Sequence, residues 1–155
     1  MKKILTIIAI MMPLMYLVSC QDPVQPANDQ LISFVSKTDS VEAISGLMES
    51  NAVIKNNSDK QVRIKLKLEV ISLIPAHRAL VCMGDKCYWG VTQDTEYPAE
   101  IVLEPYQEST KTHFFAQLET GGETGISIIR YKFTPNGDTT KTISYTTTYR
   151  VVSGL

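Results

Sequence analysis

The sequence predicts an all-β domain, an antiparallel β-sandwich, and three observations carry that prediction. Residues 61–70 alternate strictly, with Val62, Ile64, Leu66, Leu68 and Val70 on one side and Gln61, Arg63, Lys65, Lys67 and Glu69 on the other. That period of two marks a half-buried antiparallel strand. Residues 139–152 behave alike, setting Ile143, Tyr145, Thr147, Tyr149 and Val151 against Thr142, Ser144, Thr146, Thr148 and Arg150. Turn-forming residues recur about every ten positions, the spacing of many short strands in two packed sheets.

The first element is an export signal. Met1, Lys2 and Lys3 form a basic start, an apolar run extends from Ile4 to Val18, and the run ends in Leu17-Val18-Ser19-Cys20. An apolar stretch of about fifteen residues is too short for a spanning helix, which needs about twenty, and Pro13 lies inside it. The tetrad resembles the lipobox of bacterial lipoproteins, which implies that residues 1–19 are a signal peptide and that Cys20 becomes the acylated first residue of the mature chain. Lipidation also explains why an exported chain carries an odd cysteine. Several acyl chains hold firmly where one holds marginally, since each buried methylene adds about 0.8 kcal/mol. Residues 20–30 (CQDPVQPANDQ) are polar with two prolines and suit an extended tether. The domain proper is residues 31–155.

Removing the signal leaves roughly 136 residues, enough for one domain with a core and too few for two. Fifteen basic and sixteen acidic residues give a formal net charge of −1, so no nucleic-acid partner is expected.

Along the domain, a short helix is expected near residues 40–49. A strand is expected over residues 52–55, joined to the strand at 61–70 by the turn residues Asn56-Asn57-Ser58-Asp59. The row Arg63, Lys65, Lys67 is read as a solvated face, with attraction of acidic glycans or lipid head groups as the functional alternative. In the segment LVCMGDKCYW (residues 80–89), Gly84 and Asp85 fit the centre of a type II′ hairpin turn, so that Met83 faces Lys86 and Cys82 faces Cys87. Cysteines at such a non-hydrogen-bonded pair lie within disulfide reach, and an exported compartment is oxidising. A disulfide clamping this hairpin is the leading reading. A metal site built from His77, Cys82, Cys87 and His113 is the main rival, with suitable ligand types for zinc or copper but spacings that match no motif. Redox catalysis fits less well, because four residues separate the cysteines where a thiol oxidoreductase has two.

Shorter strands are expected over residues 100–103 and 112–118. The run Gly121-Gly122-Glu123-Thr124-Gly125 lacks the lysine and following helix of a phosphate loop. Residues 126–134 and 139–152 form a hairpin about Pro135-Asn136-Gly137, read as a type I turn with a bulge. The apolar alternation slips between Ile128 and Ile129, which places a bulge there.

From about Ala52 onward, the turn Asn56–Asp59, the hairpin Cys82–Cys87 and the late run Phe133-Thr134-Pro135-Asn136-Gly137-Asp138 resemble the small immunoglobulin-like sandwich domains of Bacteroidetes cell-envelope proteins. The resemblance implies an immunoglobulin-like fold, an envelope location and a place in an envelope complex. The chain departs from antibody-type domains, because its cysteines are too close in sequence to bridge two sheets. Asp39-Ser40-Val41 and Asp138-Thr139-Thr140 resemble the short O-glycosylation sequon of that phylum.

Chemistry-bearing residues are sparse: two histidines, no nucleophile elbow, no helical metal-ligand pair. Glu100 and Glu104 are the nearest thing to an acid/base pair and read as solvent-facing. The chain is therefore expected to be non-catalytic and to hold no cofactor. Tyr88 and Trp89, with Tyr97 and Tyr106, form the candidate binding surface, rigid aromatics beside a clamped hairpin being suited to recognition. The competing reading puts Trp89 over the sandwich core. The sequence thus points to an outer-membrane lipoprotein, periplasmic or surface-exposed, serving as an accessory subunit or adhesion module with a membrane anchor and a protein partner.

Overall fold

The computed structural model describes residues 30–154, so the signal peptide, Cys20 and nearly all of the tether lie outside the described residues. Strands β1 (Ile32–Lys37), β2 (Ser40–Ala43), β3 (Leu47–Ser50), β4 (Ala52–Asn56), β5 (Val62–Ser72), β6 (Arg78–Met83), β7 (Lys86–Val91), β8 (Thr95–Leu103), β9 (Phe114–Glu119), β10 (Gly125–Pro135) and β11 (Ile143–Val151) account for most of them, with one 3-10 turn at Thr139–Lys141. A five-stranded sheet runs β2-β11-β10-β5-β8 and a four-stranded sheet runs β3-β9-β6-β7, while β1 and β4 form a separate two-stranded ribbon. Every pairing is antiparallel except the short β2–β11 edge.

The inward faces of the two sheets make one core. Val62, Ile64, Leu66 and Leu68 of β5 are all essentially inaccessible, as the alternation predicts. Each such aliphatic side chain contributes about 1.5–3 kcal/mol relative to an exposed one. Facing them are Phe114, Ala116 and Leu118 of β9 and Ala79, Val81 and Met83 of β6. Aromatic rings fill the middle: Phe114 meets Phe133 edge-on at 5.2 Å, and Tyr131 stacks on Tyr145 at 5.1 Å. Phe34 of the ribbon packs edge-on against the same Phe133 and Tyr145, which ties β1 to the core.

Most of the buried hydroxyls find partners, as a low-dielectric interior favours. Tyr131 and Tyr149 share a hydroxyl hydrogen bond of 2.9 Å, Ser50 bonds Tyr145 and Thr147, and Thr147 donates to the Thr38 carbonyl at 2.7 Å. Burial pushes the Tyr131, Tyr145 and Tyr149 phenols up.

Three local expectations are corrected. Residues 40–49 form no helix; they are two four-residue strands in different sheets, joined by a turn at Gly46 (φ 92°). Val41, Ile44 and Met48 mimic helical spacing because the chain changes sheets between them. At the last hairpin, Asn136 and Gly137 both have positive φ, 49° and 76°, and the Asp138 amide donates to the Pro135 carbonyl at 2.8 Å. That is a type I′ turn with Asn-Gly at its centre and proline at its first position, where a type I turn was expected. The Asn136 side chain also accepts from the Arg63 amide at 3.0 Å, docking the turn on β5. Between Ile128 and Ile129 there is a register shift, but the extra residue is Ile71 on β5, since Ile128 pairs with Ser72 and Ile129 with Val70. β10 itself keeps alternating, with Ser127 turned inward.

Candidate functional site

The β6–β7 hairpin is built as its residues dictate. Met83 pairs with Lys86 and Cys82 with Cys87. Gly84 takes φ 62° while Asp85 stays in the ordinary region, the pattern of a type II′ turn. Cys82 and Cys87 are joined by a disulfide, with their Cα atoms 4.0 Å apart. Just beyond the disulfide the register shifts: Val81 pairs with Tyr88 and Ala79 with Val91, leaving Leu80 alone opposite Trp89 and Gly90. This is a bulge, and Gly90 (φ 71°) supplies the left-handed residue it needs. A bulge on an edge strand re-aims a side chain, and Trp89 is 66% exposed. It does not cap the core.

The outward face of the four-stranded sheet follows from the registers. Glu49, Gln117 and Leu80 stand in one row, Phe115, Cys82 and Cys87 in the next, and Leu47, Glu119 and Arg78 in a third. Leu80 and Cys82 are buried although they belong to this outer face and lie outside the core cluster. Leu47 is 55% exposed. Beside Phe115 a depression of about 440 Å³ opens, bounded by Glu49, Gly84, Lys111, Thr112 and Gln117. Lys111 pairs with Glu49, whose carboxyl is held below its usual range first by the hydrogen bond from Asn51 and then by Lys111.

The four predicted aromatics are therefore not one surface. Tyr88 points inward and packs at 4.8 Å on Tyr97, which is buried in the core. The Tyr97 hydroxyl has no hydrogen-bond partner, and burial pushes its pKa up. Tyr106 is exposed, but it lies beyond the far end of β8 from Tyr97, with roughly 20 Å of strand between them. Of the four, only Trp89 stands on the outer face of the four-stranded sheet, where Leu47, Leu80 and Phe115 also lie. A signal for Leu80 was present in β6: RALVCM is apolar on both faces, where a strand with one solvated face should alternate.

The proposed metal donors are not brought together. Cys82 and Cys87 are bonded to each other. His77 is fully buried, its Nε2 donating to the Glu123 carbonyl at 3.0 Å and its Nδ1 lying 2.8 Å from the Ser127 hydroxyl. His113 accepts through Nδ1 from the Thr110 amide and sits beside Gly84, at the opposite end of β6 from His77. Among the described residues no cluster of three or more His, Cys, Asp or Glu side chains is arranged to hold a metal. Glu100 and Glu104 are both exposed, and each is engaged, with Arg63 and Gln61 respectively. Both sequon hydroxyls, Ser40 and Thr139, are exposed.

The five-stranded sheet presents a different outer face. Arg63 pairs with Glu100 at 3.4 Å, and Lys67, Lys132 and Arg130 converge on Glu69 at 3.3, 2.7 and 3.6 Å. The Lys132 ammonium leads in holding the Glu69 carboxyl below its usual value.

No protein-family model matches the chain, and no curated protein matches it. Among solved structures it is similar to the ASH / PapD-like domain of human CEP192, at a TM-score of 0.49 and 11% identity, covering 92% of this chain and all of that one. It is also similar to the N-terminal domain of PorA, at a TM-score of 0.47 and 10% identity over 81% of this chain and 98% of that one. The periplasmic chaperone SfaE gives a TM-score of 0.42 and 11% identity over 80% of this chain and 58% of that one. Strand order and registers define the class: a mainly antiparallel two-sheet β-sandwich with one charged and one apolar-centred outer face.

Proposed function

We propose that this chain is a non-catalytic binding module, exported and lipid-anchored at Cys20 in a Bacteroidetes-like outer membrane, which docks a protein partner through the outer face of its four-stranded sheet. One observation carries the docking surface: the outward side of β6 is apolar at Leu80 and Cys82 and is bordered by the exposed Trp89 and Leu47. A sheet face that meets only water alternates to polar residues, as β5 and β11 do. Aromatic anchors with a polar rim are the pattern of protein interfaces, and the Glu49–Lys111 pair supplies such a rim. The hairpin disulfide and the signal sequence agree on an oxidising compartment.

Purification of the tagged chain from native membranes tests this. Wild-type protein should recover a stoichiometric partner that Trp89→Ala loses while remaining folded. Equal recovery by both, or purified protein with hydrolytic turnover and no partner, would overturn the reading.

A further inference from the structure

The outer face of the five-stranded sheet breaks a rule of strand pairing. Lys67 and Lys132 stand directly opposite each other across β5 and β10, and like charges in that position destabilise a sheet. Both turn to Glu69, which also faces Arg130, so three cations share one carboxylate. Lys65, one pleat along, makes no ion pair among the described residues, because Glu100, its register partner, is held by Arg63. The whole chain carries a net charge of only −1, so this excess of positive charge is local.

The three lysines line a bowl of about 430 Å³ in which Lys65, Lys67 and Lys132 meet Thr134, Glu69 and Glu96. The size falls in the range of small-molecule sites, about 300–1,000 Å³. Thr134 and Thr142, also in the lining, share a hydroxyl hydrogen bond of 2.9 Å, and each oxygen keeps acceptor capacity for a ligand. Lysine suits phosphate as a point charge. The carboxylates of Glu69 and Glu96 would repel an extended polyanion but accept hydrogen bonds from alcohols.

We propose that this bowl binds a small phosphorylated polyol, its phosphate held by Lys65, Lys67 and Lys132 and its hydroxyls by Thr134, Thr142 and Glu96. A free sugar phosphate and the headgroup of a phospholipid share this chemistry. The site is on the opposite sheet from Trp89, so its failure leaves the docking face untouched.

Amide shifts of the full chain should be followed by NMR during titration with glucose 1-phosphate and, separately, with glycerophosphoglycerol, a deacylated headgroup. Saturable shifts at Lys65, Lys132, Thr134 and Thr142 are expected with at least one probe, and the tighter probe identifies the source. Lys65→Gln, an exposed change that should leave the unfolding temperature unaltered, should weaken binding at least about tenfold, as loss of a charge-assisted hydrogen bond predicts. Arg150→Gln, outside the bowl, should not. No saturable response to either probe, equal binding of glucose or inorganic phosphate, or an unaffected Lys65→Gln would overturn the proposal.

Discussion

Removing the hairpin disulfide measures how local its role is. The bond closes a loop with a sequence separation of 5, for which chain-entropy arguments give about 2 kcal/mol. Cys82 faces away from the core, so Cys82→Ala/Cys87→Ala opens no cavity between the sheets. In a domain of roughly 125 described residues, about 1 kcal/mol moves the unfolding midpoint by about 4 °C, and the double variant should unfold about 8 °C lower. Circular dichroism melts with and without reductant provide the assay. Wild type should fall by that amount on reduction, while the variant should start there and ignore reductant. A fall beyond about 20 °C would make the bond a staple of the whole fold, and no fall would remove its role; either result refutes the reasoning.

Further outcomes follow from the same geometry. Tyr131 and Tyr149 share one buried hydrogen bond, so Tyr149→Phe should cost about 1–3 kcal/mol by orphaning the Tyr131 hydroxyl, while the double Phe variant should cost less than the sum of the singles; a denaturant double-mutant cycle with no coupling would contradict this. Gly90→Ala meets nothing within 4 Å, yet φ is 71°, so it should cost about 1–2 kcal/mol from backbone strain alone, read from the same melts. Trp89 is the only tryptophan and only a third covered, so its fluorescence should be quenched by acrylamide almost as freely as that of a small indole. Trp89→Ala should cost at most about 2 kcal/mol, a third of roughly 250 Å² at about 25 cal/mol per Å². Thiol titration of unfolded, unreduced mature protein should find no free thiol among the three cysteines; one free thiol would mean that Cys20 is unmodified.

Much of this architecture can be read from the chain because period-two patterning is a local property. β5 and β11 show it over long stretches, and the Gly84-Asp85 pair sets the hairpin register that brings Cys82 to Cys87. Where strands shrink to four residues, as in β2 and β3, two alternations spliced across a change of sheet imitate helical spacing. Proline in Pro135-Asn136-Gly137 favours the second position of a type I turn, but Pro135 stays in β10 opposite Ile64 and the Asn-Gly pair, which tolerates positive φ, turns the chain at the start of a longer connection to β11. The proposed docking face was half legible. Trp89 stands out by residue type, whereas the separation of Tyr97 and Tyr106 to different depths and ends depends on where β8 runs. Leu80, Phe115 and Leu47 become neighbours only through the order β3-β9-β6-β7, which no single segment encodes.

A photo-crosslinkable residue placed at position 89, and in a second protein at position 150 on the opposite sheet, tests the docking face most directly when both are irradiated in native membranes. The account predicts one discrete protein adduct from position 89 and none from position 150. Adducts from position 150 alone, or identical patterns from both, would contradict it.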